Sequence, residues 1–198
     1  MAQFIAFEEG ITVNGQTILS VVDALDKAKA KDIALEVLAE NNLENIEAQK
    51  WYKQEDWLNT FKTISEEMGE TILYFIGKSI IDNAEFPPEI DNIEKGLKSI
   101  DTAYHMNHAK NGTPMFNPET GEMTEGIGHY TVTEISKNKI KMVCENPYPC
   151  DFDRGIITAM ARKFEQLAEV KLDTSVKNRK DGADSSSYII SWAYSFSD

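Results

Sequence analysis

The sequence predicts an α+β protein in which N-terminal helices pack with an antiparallel β-sheet. Three observations support this fold class. Apolar residues recur at helical spacing through the first half of the chain, a β-hairpin with a consistent register follows, and a helix and two strands complete a β-β-α-β-β module. The composition agrees, because 41% hydrophobic and 27% charged residues in a chain of 198 are typical of a folded globular protein.

The N-terminal segment, residues 1–45, is expected to be helical with short strands at about 3–7 and 11–13. A helix then follows Asn14-Gly15, and a second helix covers about 30–40. The apolar residues at helical spacing in these two helices are Ile18, Val21, Val22, Leu25, Ile33, Val37 and Leu38.

Residues 42–50 show little hydrophobic periodicity and mark the predicted boundary of a ligand-binding α+β domain over 46–198. Two helices, about 54–67 and 70–82, follow this boundary. The second has a broad apolar face that predicts deep burial, formed by Ile72, Leu73, Phe75, Ile76 and Ile80. The clearest helix signal comes next, with apolar residues three and four apart: Ile90, Ile93, Leu97, Ile100 and Tyr104.

A β-hairpin is predicted from strands at 127–135 and 140–146 that flank a short turn. In this register Glu134 faces Lys141, which is a favourable cross-strand pair. Continued along the strands, the same register places His129 opposite Asn146 and on one sheet face with Cys144.

The module is completed by a helix, a strand at about 167–172 and a closing strand at about 187–195. Asp151 or Asp153 is the expected N-cap of the helix. Its buried face is predicted to contain Ile156, Ile157, Met160 and Phe164, and one face of the closing strand Tyr188, Ile190 and Trp192.

The net charge of −13 argues against a nucleic-acid partner and against an anionic membrane surface. No apolar run is long enough to span a bilayer, and the first residues lack the features of a secretory signal. We therefore expect a cytoplasmic protein. Nucleotide-binding, zinc-protease and nucleophile-elbow motifs are also absent, so enzymatic activity has no positive signal in the sequence.

The candidate metal ligands are His105, His108, His129, Cys144 and Cys150. His105 and His108 are three residues apart on a helix, a spacing that suits a transition metal but equally a polar helix end. The two cysteines have the wrong spacing for a zinc knuckle. The set is incomplete as a structural zinc site, and we expect the protein to fold without metal.

Short motifs in the second half and one upstream of it resemble the 4-vinyl reductase domain. They are ENPYPC at 145–150, GADSSSYII at 182–190 and LYFIG at 73–77. The order of elements from about residue 51 is also similar to the H-NOX (heme-nitric-oxide/oxygen) fold, and this resemblance implies a protein that binds a small ligand.

The sequence departs from both families. Serines at 185–187 stand where the 4-vinyl reductase domain has cysteines. Ile100-Asp101 is similar to the pair that precedes the heme-binding histidine in H-NOX proteins, but Tyr104 follows three residues later and His105 is its neighbour. The Y-x-S-x-R signature for heme propionates is absent, because the matching strand reads MVCEN at 142–146.

Together these patterns predict a small-molecule binding or sensing protein with a pocket between helices and sheet. The expected pocket residues are Phe75, Tyr104, His105, Met142, Tyr148, Tyr188 and Trp192. The expected partners are a small apolar or aromatic ligand and a second copy of the chain in a homodimer. Three alternatives stay open: a heme-based gas sensor, an enzyme or accessory factor in tetrapyrrole or aromatic metabolism, and an interaction subunit without a ligand.

Overall fold

The computed structural model describes residues 3–27 and 29–193. Its α-helices are α1 (Gly15–Lys27), α2 (Lys31–Glu40), α3 (Gln54–Met68), α4 (Thr71–Asp82), α5 (Ile93–Met106) and α6 (Cys150–Phe164). Its strands are β1 (Ile11–Asn14), β2 (Trp51–Lys53), β3 (His108–Lys110), β4 (Thr113–Pro114), β5 (His129–Ser136), β6 (Lys139–Glu145), β7 (Glu169–Leu172) and β8 (Ser186–Ser191). A short 3₁₀ helix covers Arg179–Asp181.

The strands form two four-stranded antiparallel sheets, ordered β2-β1-β3-β4 and β5-β6-β8-β7. The second sheet and α6 are the predicted β-β-α-β-β module, so the α+β fold class is confirmed. Since β1 pairs with both β2 and β3, the first sheet joins the N-terminal segment to later parts of the chain. The proposed division at residue 45 stays a prediction.

The hairpin register is right near the turn and wrong further along. Glu134 pairs with Lys141 as expected, but the register shifts between Val132 and Glu134. A β-bulge of this kind adds one residue to one strand and reverses the faces beyond it. His129 therefore pairs with Glu145 instead of Asn146, and Tyr130, not His129, shares a face with Cys144.

Two N-terminal predictions are corrected. Residues 3–7 form turns and loop, where the backbone N–H of Phe4 donates to the Pro147 carbonyl at 2.7 Å. Ile33, one of the apolar residues at helical spacing in α2, is 43% exposed, so it lies outside the buried face that Val37 and Leu38 form. Helical spacing identified the apolar residues of α2, but contacts with the rest of the molecule determine which of them are buried.

Helices α4 and α6 cross at very short distance. Each has a glycine at the crossing, and a Cβ atom at Gly77 or Gly155 would lie about 2 Å from a carbonyl oxygen of the other helix. This approach buries Leu73 and Ile76 of α4 and leaves Phe75 56% exposed on the outer side. The expectation that the whole apolar face of α4 is buried is therefore wrong at Phe75.

The ends of the last elements also differ from the predictions. Pro149 is the N-cap residue of α6, so neither Asp151 nor Asp153 caps the helix. Asp153 is instead fully buried inside the molecule. Strand β8 ends at Ser191, and Trp192 lies just beyond it, partly buried against the core. The last residues of the predicted closing strand, 194–195, lie outside the described residues.

Candidate functional site

A cavity of about 80 Å³ lies where the N-terminal helices meet α5, α6 and β5. Its walls are mostly apolar and aromatic, formed by Trp57, Ile80, Ile81, Phe86, Ile100, Ala103, Tyr104, Tyr130, Tyr148, Phe152 and Ile156. The polar residues that line it are Thr17, Asn107 and His108. Largely apolar walls with a few polar groups are typical of a small-ligand site.

Helix α5 supplies one wall because four of its residues recur at helical spacing: Ile100, Ala103, Tyr104 and, at its C-cap, Asn107. Asn92 caps the start of this helix, since its side chain accepts a hydrogen bond from the backbone N–H of Lys95 at 3.0 Å. The Tyr104 hydroxyl donates to the Ile127 carbonyl at 2.8 Å, so the ring is held between α5 and the segment that leads into β5.

The main polar feature of the wall is a hydrogen-bonded pair formed by His108 and Tyr148. His108 Nδ1 is 2.7 Å from the Tyr104 carbonyl oxygen, and its Nε2 is 2.8 Å from the Tyr148 hydroxyl. Because a carbonyl oxygen only accepts, Nδ1 carries the proton and Nε2 accepts from Tyr148. Burial lowers the pKa of His108 to about 4, so the imidazole is neutral near pH 7.

A buried polar network lies behind the cavity wall. The Tyr130 hydroxyl donates to the Asp153 carboxylate at 2.6 Å, and Asp153 forms an ion pair with Arg179. Arg179 also donates to the side-chain oxygen of Asn146 at 2.5 Å and to the Ser186 hydroxyl at 3.3 Å. Burial raises the pKa of Asp153, while the guanidinium of Arg179 acts in the opposite direction. Every member of this network has a partner, as buried polar groups require.

The structure brings together only part of the pocket set that the sequence predicted. Tyr104 and Tyr148 line the cavity, and their rings are 6.0 Å apart. Met142 and Tyr188 are fully buried in the core, and Phe75 is on the surface. The other two predicted residues, His105 and Trp192, also lie outside the cavity wall. Whether any of these residues binds a ligand stays a prediction.

The two cysteines are buried, and neither forms a disulfide among the described residues. The Cys150 sulfur is 3.1 Å from the Ser186 hydroxyl. Burial raises the pKa of Cys144 well above its ordinary value, which disfavours the reactive thiolate. Their surroundings are those of core residues, and neither lines the cavity.

The candidate histidines separate into two groups. His108 faces the cavity, whereas the rings of His105 and His129 stack with centroids 5.0 Å apart beside Asp101, on another face of α5. Partial burial lowers the pKa of His129, but its hydrogen bonds to the Asp101 and Glu125 carboxylates outweigh burial and raise the net pKa.

No family model matches the chain, and a search of curated proteins finds no relative. Solved structures do match. An H-NOX protein from S. oneidensis in its Fe(II)NO ligation state gives a TM-score of 0.67 at 12% identity, over 91% of this chain and 99% of that one. A mutant of T. tengcongensis H-NOX gives a TM-score of 0.64 at 16% identity, over 92% of this chain and 99% of that one. The chain has the H-NOX fold.

A third structure, an Fe(II) unliganded mutant of an H-NOX protein from K. algicida, agrees with a TM-score of 0.64 at 15% identity, over 92% of this chain and 98% of that one. The H-NOX part of the predicted resemblance is confirmed at the level of fold. At such identities the match concerns the fold alone, and the function must be argued from the site.

Sequence reasoning missed several residues of the site and its support. Trp57, Ile80 and Phe86 line the cavity, but as apolar residues at helical or loop positions they carried no signal that separated them from ordinary core. Arg179 was missed because it lies in a polar loop, 26 residues from its partner Asp153. The sequence did contain one hint. An Asp in the first turn of a helix that is not the N-cap residue needs another polar partner when it is buried.

Proposed function

We propose that this protein binds or senses a small molecule, and that the ligand occupies the cavity beside α5. The observation that carries the proposal is the cavity itself, an apolar and aromatic space with one neutral His–Tyr pair in its wall. Its position at the meeting point of helices and sheet agrees with the pocket that the sequence predicts. Ligand sites in helix-and-sheet proteins commonly have this form.

The ligand class follows from volume and polarity. A space of about 80 Å³ suits a molecule of a few heavy atoms, since an apolar cavity of about 150 Å³ holds benzene or xenon. The hydroxyls of Tyr104, Tyr130 and Tyr148 are already hydrogen-bonded to protein groups. A charged ligand would lose its hydration without gaining a partner, so we infer a small, uncharged, apolar or aromatic molecule.

A sensing role needs the ligand to favour one packing arrangement over another. The cavity wall combines residues of α1, α3, α4, α5, α6 and β5. A ligand there would contact the N-terminal helices and the C-terminal module at once. A ligand that fits one of their packing arrangements better than another would therefore shift the population toward that arrangement.

The neighbouring structures include heme proteins, so the fit of heme needs a test. The cavity of about 80 Å³ is far below the roughly 300 to 1,000 Å³ of a site for a larger ligand. His108, the histidine in its wall, has both ring nitrogens hydrogen-bonded. The residues present in this conformation do not fit heme. The heme gas sensor is consistent with the fold, but it would require a much wider cavity.

Other parts of the sequence-based hypothesis stay predictions. They include the resemblance to the 4-vinyl reductase domain, the alternative of an enzyme or accessory factor in tetrapyrrole or aromatic metabolism, the homodimer and the cytoplasmic location. Within the described residues, no helix is both long and apolar enough to cross a membrane.

The first test compares the wild type with Ala103→Leu, which adds a side chain into the cavity, and with Thr102→Leu, which changes the neighbouring residue outside its wall. Native mass spectrometry of each protein as purified would detect a retained small molecule. Xenon, propane and hemin would then be added as probes. We expect xenon or propane to raise the melting temperature of the wild type and of Thr102→Leu but not of Ala103→Leu.

Buried Trp57 lines the cavity, so its fluorescence gives a second readout of probe binding. Equal responses of Ala103→Leu and the wild type would contradict the proposed site. A Soret band with hemin that is lost in Ala103→Leu would instead support the heme alternative. No response to any probe, and no retained molecule, would favour an interaction subunit.

A further inference from the structure

A separate polar cluster lies at the junction of α5 and β5. Asp101 and His105 are four residues apart on α5, and His129 is the first residue of β5. His129 Nδ1 is 3.0 Å from one Asp101 carboxylate oxygen, and His105 Nδ1 is 3.7 Å from the other. A ring nitrogen from each histidine and one carboxylate oxygen all lie within 4.8 Å of one another.

The state of His105 is the second observation. Its ring is fully buried, and its Nδ1 is 2.9 Å from the backbone carbonyl oxygen of Asp101, so Nδ1 carries the proton. Its Nε2 is therefore a lone-pair donor, and it is buried without a hydrogen-bond partner among the described residues. Histidines that bind metals commonly have this arrangement, with one ring N–H fixed on a carbonyl and the other nitrogen free.

The surroundings also suit a cation. An open pocket of about 440 Å³ reaches His129, and its described lining has three carboxylates, Glu8, Glu125 and Glu145, and no lysine or arginine. Lys110 lies close by and pairs with Glu8 at 2.5 Å, which leaves two carboxylates without that neutralisation. Glu125 is 3.0 Å from His129 Nε2 and is largely exposed, so it can move.

We propose that Asp101, His105 and His129 form a binding site for one divalent transition-metal ion, entered through this acidic pocket. Two imidazoles and a carboxylate are a donor set used for Zn²⁺ and Fe²⁺. With bonds of about 2.0–2.2 Å, neighbouring ligand atoms around zinc are about 3.3 Å apart. The separation of 3.0 Å between His129 Nδ1 and the Asp101 carboxylate lies close to this value, and a ring nitrogen of His105 lies within 4.8 Å of both groups.

In this proposal the fold does not depend on the metal ion. In the absence of an ion, the Asp101 carboxylate accepts from the backbone N–H of Tyr130 at 2.9 Å and bonds to His129. These contacts already join α5 to β5. The metal site is independent of the ligand cavity, because none of its three ligand residues lines that cavity.

The test is calorimetric titration of ZnCl₂ into protein that was first treated with a chelator, with Co²⁺ absorption spectra as a second readout. We expect one ion per chain. His129→Gln should weaken binding by about a hundredfold, at or above the upper range seen for loss of a supporting residue. Glu145→Gln is the matched control, since it lines the same pocket but is not a proposed ligand, and it should bind as the wild type does.

A wild type that binds no zinc, or a His129→Gln variant that binds it equally well, would overturn the proposal and leave the cluster as a structural network. Circular dichroism checks that each variant is folded. If His129→Gln does not fold, Asp101→Asn takes its place with the same expected loss. That substitution keeps a side-chain oxygen that can accept from Tyr130 and removes the negative charge.

Discussion

The two buried regions on either side of Tyr130 are packed in opposite ways. On one side its hydroxyl joins the network of Asp153, Arg179, Asn146 and Ser186, in which each polar group has a partner. On the other side its ring lines a cavity of about 80 Å³ among apolar and aromatic groups. The first region is a charged network in which every polar group is hydrogen-bonded. The second is neutral and contains unfilled space.

The difference indicates what each region contributes. A buried ion pair costs desolvation and gives little net stability, but loss of one partner is expensive, so such a network fixes a unique arrangement. The residues around a cavity lack some packing contacts, and the cavity leaves space for a ligand. We infer that the network holds β5, β6, α6 and the Arg179 segment in place, and that the cavity is the part of this core able to respond to a ligand.

The largest expected effect tests the network. Arg179→Met would leave the fully buried Asp153 carboxylate without its cation, and we expect a loss of about 3–5 kcal/mol in the free energy of unfolding. Urea unfolding followed by circular dichroism measures this change. The double variant Asp153→Asn/Arg179→Met should recover part of the loss, because it leaves no unpaired charge. A loss below about 1 kcal/mol for the single variant would show that the network does not fix the core.

The next largest effect is the pH dependence of the free energy of unfolding, which we expect from His108 in the cavity wall. The pKa of folded His108 is about 4, below its ordinary value of 6.5, so between these pH values the unfolded chain binds a proton that the folded protein does not. Stability therefore falls as the pH falls through this window. The contribution of His108 should be on the order of 3 kcal/mol between pH 7 and pH 4. His108→Gln should flatten the curve of unfolding free energy against pH, whereas an unchanged slope would contradict a neutral His108.

The smallest effect compares added volume in the two environments. Ala161 is fully buried in α6 and does not line the cavity, so Ala161→Leu should cost about 1–3 kcal/mol through overpacking. Ala103→Leu extends into open space and should change the unfolding free energy by less than about 1 kcal/mol. Urea melts of both variants provide the comparison. Equal losses would show that the cavity is no easier to fill than the close-packed core.

The elements that the sequence predicted well are those determined by local spacing. Four residues of the predicted seam, Ile93, Leu97, Ile100 and Tyr104, are buried on one side of α5, as the period of three and four residues requires. The fifth, Ile90, lies just before the helix and is only partly buried. The register of the β5–β6 hairpin is predicted correctly at Glu134 and Lys141, because these residues lie close to the turn, where turn length sets the register. Neither result depends on contacts between residues distant in the sequence.

What the sequence alone determined is therefore the fold class, the helices and the hairpin close to its turn. Only the tertiary structure decided that the bulge places Tyr130 on the buried face, that Arg179 meets Asp153, and that Phe75 faces outward. The physical reason is that hydrophobic periodicity marks what can be buried, whereas packing between distant segments selects which groups meet and where space remains unfilled.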